Sequence, residues 1–157
     1  MGFIAKLFGK STPVGLVDPL FGSLNQVVQT DIFGKKQLSP DLKGQVKLGA
    51  VEIRVSLLCG DDGPNDKQRT FFRDLTVHFD AYARTEWNPL LKQELMRWMD
   101  VSALDFDFDR DFILHEIRLP TCLSTPIHWK LIGYYSEIDQ FITLEFVDFT
   151  PTVHFEG

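Results

Sequence analysis

From residue 105 to residue 116 the chain reads DFDFDRDFILHE, with an aspartate at every second position from Asp105 to Asp111 and Glu116 closing the run. Carboxylates at positions 1, 3, 5 and 12 of a twelve-residue loop are the ligand pattern of an EF-hand calcium site. Asp105, Asp107, Asp109 and Glu116 occupy those positions. The sixth position argues against the ion. The loop turns sharply there and takes Gly, whereas this chain has Arg110, which brings a second cation to the site. The flanks argue the same way, because Phe106 and Phe108 alternate with the aspartates in strand fashion and a β-like run follows in place of an exiting helix. No metal site is expected. Asp105, Asp107, Asp109 and Asp111 are expected to line either a solvated sheet edge that resists aggregation or a surface kept acidic for a basic protein partner. The apolar phase then flips, from even-numbered Phe106, Phe108 and Phe112 to odd-numbered Ile113, Ile117 and Leu119. That shift predicts a bulge or tight turn near residues 109–111.

Other reactive side chains form no recognisable constellation. His78, His115, His128 and His154 share no metal-ligand spacing, and His115 and Glu116, adjacent on a strand, face opposite sides. There is no G-x-S-x-G elbow, no P-loop and no G-x-G-x-x-G turn. Cys59 ends an apolar strand and Cys122 follows Pro120, so each reads as a small buried apolar residue. Neither catalytic residues nor a cofactor are expected, and the chain does not read as an enzyme. Trp98 and Trp129 fall on apolar stripes and are predicted in the core. Trp87, beside a helix start, is the tryptophan predicted to be partly exposed.

The elements that position these residues sit in a chain of 157 residues, 44% hydrophobic and 13% aromatic with 14 Phe, long enough for one domain and one core. Net charge is −6, unevenly spread. Residues 1–60 carry 7 Lys/Arg against 4 Asp/Glu, a balance of +3, and residues 61–157 carry 9 against 18, a balance of −9. Such a chain repels phosphate backbones, which argues against nucleic-acid binding. Two cysteines make neither a disulfide framework nor a metal cluster, as in a reduced, cytoplasmic protein. No apolar run reaches the roughly 20 residues a membrane span needs. In the opening MGFIAKLFGKSTP, Phe3, Ile4, Leu7 and Phe8 share a helical face beside Lys6 and Lys10. Lys6 interrupts any signal-peptide core and occupies the position where myristoylation wants Ser or Thr, so residues 1–15 read as a flexible or weakly amphipathic segment.

Residues 16–157 read as a single α+β domain. LFGSL and VVQTDIF are short strand candidates among Gly and Pro punctuation, and in VEIRVSLL the residues Val51, Ile53, Val55 and Leu57 alternate with polar ones. Asn65 followed by Gln68 makes a capping box, and Phe71, Phe72, Leu75, Phe79 and Tyr82 recur at helical spacing, predicting a helix over 66–83. Asn88 and Pro89 read as the N-cap and first position of a second helix over 88–99, paired with the first as a hairpin. FILHEIRL, IHWKLIGYY, FITLEFVDF and TVHFE read as strands, the last returning as a hairpin after a turn at Thr150 and Pro151. Strands, then helices, then strands predict a largely antiparallel sheet with two central helices on one face.

The pieces LFGSL, NDKQRTFFRDL, IGYY and FITLEFVDFTPTVHFE together resemble a loose group of bacterial domains of unknown function, some regarded as immunity proteins of polymorphic toxin systems. That group has no agreed catalytic residues. The resemblance implies a binding protein of immunity type. Residues 100–157, with 11 Asp/Glu against 3 Lys/Arg, supply the acidic face such an inhibitor would turn to a basic toxin domain. The competing reading is a small-molecule-binding protein or enzyme with a pocket between helices and sheet.

Overall fold

Period-2 alternation dominates both ends of the chain, and each end folds as a meander of hairpins. The computed structural model describes residues 15–60 and 62–156. β1 (Gly15–Asp18), β2 (Gly22–Thr30), β3 (Lys36–Leu48) and β4 (Val51–Leu58) pair antiparallel in succession. So do β5 (Phe112–Leu119), β6 (His128–Tyr135), β7 (Gln140–Val147) and β8 (Thr150–Phe155). A parallel β4–β5 ladder joins the halves into one eight-stranded sheet in the order β1 to β8. Parallel neighbours require a crossover, and the helical segment between them supplies it.

α1 (Asp66–Tyr82) starts where the capping box predicts. Asn65 Oδ1 accepts from the Gln68 N–H at 2.9 Å, and Gln68 Oε1 accepts from the Asn65 N–H at 3.0 Å. The fully buried Gln68 also donates from Nε2 to Leu58 O at 3.0 Å and Pro120 O at 2.7 Å, tying the helix start to the ends of β4 and β5. Phe71, Phe72, Leu75 and Phe79 then pack on the inward side chains of the sheet, among them Val55, Ile117, Leu131 and Leu144, which are fully buried.

The expected helical hairpin is not what forms. α1 runs through a π-helical turn (Ala83–Trp87) directly into α2 (Asn88–Met99), one long helix that ends at left-handed Asp100. Asn88 has helical φ and ψ of −59° and −51°, and its N–H bonds to Ala83 O, five residues back. Proline inside a helix lacks an N–H and crowds the preceding turn, and a wider turn just ahead of Pro89 accommodates both defects. Good cap chemistry was present at Asn88, but its Oδ1 accepts instead from the Phe108 N–H at 2.8 Å.

Two tryptophans exchange their predicted places. Trp87 is 0% exposed, with Phe146 at 5.0 Å and Phe79 at 5.6 Å between ring centroids, because the π turn rotates it into the core. Trp98 is 49% exposed and stacks on Phe155 of the edge strand β8. Trp129 is buried as expected and stacks on Phe146 at 3.8 Å. The last hairpin turns at Asp148 and Phe149, and Pro151 lies within β8, an edge strand that can spare an N–H. The expectations for residues 1–14 lie outside the described residues.

Candidate functional site

Residues 105–107 are not strand, and the aspartates that follow close a single helical turn, α3 (Phe108–Asp111). Asp107 caps it, accepting from the Arg110 N–H at 3.1 Å, while its own N–H donates to Asp111 Oδ2 at 2.8 Å. Arg110 lies across the run. Its Nε and Nη2 each reach Asp111 at 2.7 Å, and Nη2 stands 3.3 Å from Asp105 Oδ1. Those hydrogen bonds, together with the Asp107 N–H, outweigh partial burial and hold the Asp111 carboxyl below the usual carboxylate range. They also raise the Arg110 guanidinium further above its ordinary range. The residue that argues against calcium is therefore the one that gathers the aspartates.

The four predicted site residues separate accordingly. Asp111, its side chain 19% exposed, is committed to Arg110, and Asp107 is a helix cap. Asp105 and Asp109 remain open to solvent, with side chains 93% and 53% exposed. The tight turn predicted near residues 109–111 is present as α3, and a register shift lies further on, between Leu114 and Glu116 at His115, which leaves Ile113 on the outer face and 54% exposed. The helical turn absorbs the rest of the phase change.

α3 points Phe108 inward and Asp109 outward, onto the rim of a cleft of about 250 Å³. The cleft opens between α3, the end of α1 and the β3–β4 turn, with Phe79, Phe108, Phe112 and Leu114 as apolar walls. Asp80, Arg84 and Asp109 are the charged groups that line it. Gly49 shapes its floor. At φ +62° it adopts a conformation that favours glycine, and a Cβ there would stand 3.2 Å from the Phe79 ring and 3.3 Å from Asp80 Oδ1. Arg84 lies in the π turn, a helical irregularity found frequently at functional sites. Its Nε is 3.4 Å from Asp109 Oδ2, with the two side chains 70% and 53% exposed. An exposed pair of that kind contributes no more than about 1 kcal/mol, so an incoming cation can displace it. Sequence reasoning found Asp109 and missed Asp80 and Arg84, which lie four residues apart on the continuous helix and share no motif spacing with Asp109.

A second hollow of about 400 Å³ runs between α1 and the β5–β6 connection, lined by Thr70, Phe71, Asp74, Cys122, Thr125 and Ile127. Cys122 is buried, and burial pushes its thiol up to about 11, so the neutral form prevails there. Burial raises the Cys59 thiol as well. On the outer face of the sheet Lys130 bonds Glu145, and His154 Nε2 lies 3.5 Å from the same carboxylate. His115 stands 2.9 Å from Arg54 Nη2 and edge-on to Phe141. Among the described residues no three His, Cys, Asp or Glu side chains come together as a metal cage, and no helix is long and apolar enough to cross a membrane.

Comparison with protein-family models, with curated proteins and with solved structures finds no match.

Proposed function

We propose that this chain is a cytoplasmic protein-binding module, of the immunity-inhibitor kind, that receives a basic side chain of a partner protein in the α1–α3 cleft. The observation that carries the reading is the cleft itself: aromatic walls with Asp80 and Asp109 among its lining groups. Lysine and arginine bury an aliphatic stem against apolar surface while keeping the charged head among carboxylates, and this cleft offers both in that order. Its size decides between partners. At about 250 Å³ it falls below the roughly 300–1,000 Å³ of ordinary small-molecule pockets, yet it admits one large side chain. Asp105 and the acidic remainder of residues 100–157 add a field that steers a basic partner toward it and weakens with salt.

The test is a paired capture, with the wild-type chain and the Asp80→Asn/Asp105→Asn/Asp109→Asn variant as baits, followed by association kinetics on any basic protein retained. The expected result is retention by the wild type alone, with the variant associating several-fold more slowly at low salt and the difference closing as salt rises. Equal rates for the two baits at low salt would remove the cleft from the function. The small-molecule reading keeps one specific support, the hollow beside Cys122, whose volume of about 400 Å³ falls within the usual ligand range. A thermal shift with a small molecule that Phe71→Ala abolishes would favour it.

A further inference from the structure

The helices pack on one face of the sheet, and the side chains of the outer face stand in cross-strand rows. Lys43 pairs with Ser56, Ser56 with Arg118 and Arg118 with Lys130, so four neighbouring strands project these residues side by side, about 4.8 Å from strand to strand. Along this row lies a hollow of about 210 Å³ whose lining includes Asp41, Ser56, Leu58, Arg118, His128 and Lys130. Ser56 is its buried polar group. It is 4% exposed, and among the described residues its hydroxyl has no hydrogen-bond partner. Buried polar groups are nearly always hydrogen-bonded, so an unpaired hydroxyl in a hollow marks a place for an incoming ligand. Arg118 gives Nε to Glu116 at 3.0 Å, which fixes the guanidinium and, among the described residues, leaves both Nη groups unpaired. Lys130 bonds Glu145 on the β7 side.

We propose that this hollow binds a phosphate group, with Arg118 and Lys130 on its charge and the Ser56 hydroxyl donating from the base. Charge and donor geometry select the ligand. The lining sets Arg118 and Lys130 against Asp41, and His128 adds a third cation when protonated. Lys43 stands on the far side of Ser56. Glu116 and Glu145, which hold Arg118 and Lys130, lie outside the lining. A single anion is therefore met by local cations, while the net charge of −6 still repels a polyanion. The donors lie at the base and on the walls, not in one plane. That suits the tetrahedral oxygens of phosphate over a flat carboxylate, and arginine presents paired N–H groups to them. Size limits the rest of the ligand. About 210 Å³ is less than the roughly 300–1,000 Å³ of ordinary ligand pockets, so the phosphate carries at most a small organic group, for which Leu58 and Pro120 form an apolar wall. The hollow shares no lining residue with the α1–α3 cleft, and the proposal is independent of it.

The experiment is an NMR titration of the isotope-labelled full chain with inorganic phosphate, phenyl phosphate and acetate, at constant pH and ionic strength. Inorganic phosphate should give saturable amide shifts centred on Ser56, Arg118 and Lys130, with a Kd in the millimolar range or below. Arg118→Gln should weaken binding about tenfold and Ser56→Ala about threefold, as the loss of charge-assisted hydrogen bonds does. Asp41→Asn should tighten it several-fold, because it removes the carboxylate that faces the anion. Glu86→Gln makes the same charge change on the helical layer and should leave the affinity as it was. Ser56→Ala and Asp41→Asn carry the test if Arg118→Gln, which releases Glu116, loses its fold. Tighter binding of phenyl phosphate than of inorganic phosphate assigns the hollow to a phosphate monoester, and equal affinity assigns it to the inorganic anion. The absence of saturable shifts with either phosphate overturns the proposal. So does acetate binding as well as phosphate, or an Asp41→Asn effect no different from that of Glu86→Gln.

Discussion

Replacing Asp18 by Asn tests how the end of β1 is fixed to the helix. Asp18 closes β1 and is 3% exposed, and its carboxylate accepts four hydrogen bonds: from Leu20 N–H at 2.8 Å, Phe21 N–H at 3.0 Å, and Arg69 Nε and Nη2 at 3.0 and 2.8 Å. Burial alone would raise its pKa, but the bonds from Arg69 and the two backbone donors outweigh burial and lower it. Removing one partner of a buried ion pair costs about 3–5 kcal/mol. Arg69 is 26% exposed and keeps Asp66 at 2.9 Å, so solvent and the second carboxylate recover part of that cost. The expected loss is about 2–3 kcal/mol at neutral pH, read from urea unfolding. Because the folded pKa lies below the unfolded value of about 3.9, this stability is fully present above that value and is lost as pH falls through the folded pKa. The gap between wild type and variant should therefore hold from neutrality to about pH 5 and close in stronger acid. A gap below about 0.5 kcal/mol at neutral pH, or one that persists in acid, would refute the account.

Two further outcomes are expected. Trp87 Nε1 is buried and, among the described residues, has no hydrogen-bond partner. Trp87→Phe removes that orphan donor, worth about 1–3 kcal/mol, and should offset much of the lost packing, whereas Trp87→Ala should cost about 3–5 kcal/mol by thermal or urea unfolding. Equal losses in the two variants would show that the indole N–H is satisfied. In a Cys59→Ser background, Cys122 with its thiol near 11 should react with iodoacetamide on the order of 100-fold more slowly than a free thiol at mildly alkaline pH, and at the free rate in urea. A folded-state rate like that of free cysteine would contradict the burial of that thiol.

Legibility in the sequence tracked the range of the interaction that decides each element. The capping box at Asn65 and Gln68 is settled within one turn, and the helix starts where those two residues say it does. The alternation of Ile142, Leu144 and Phe146 against Thr143 and Glu145 is settled by one buried face, although Thr143 is itself 5% exposed on the outer side. Asn88 and Pro89 carried an equally good start signal and failed, because a π turn upstream and Phe108 downstream compete for the same groups. The parallel β4–β5 pair left no mark in the pattern, since both strands alternate as antiparallel ones do. The cleft was the least legible part. Its charged groups come from α1, the π turn and α3, and only Asp109 belonged to a visible run.

An aspartate at every second position has two physical readings, and the difference bears on function. On a strand the carboxylates share one face, repel one another and all remain available to a partner. In a capped turn they are sorted by the hydrogen bonds that close it: Asp107 and Asp111 are engaged within the turn, leaving Asp105 exposed and Asp109 at the cleft in an exposed pair with Arg84. The acidic surface that matters is thus smaller than the sequence advertises and better placed, beside aromatic walls.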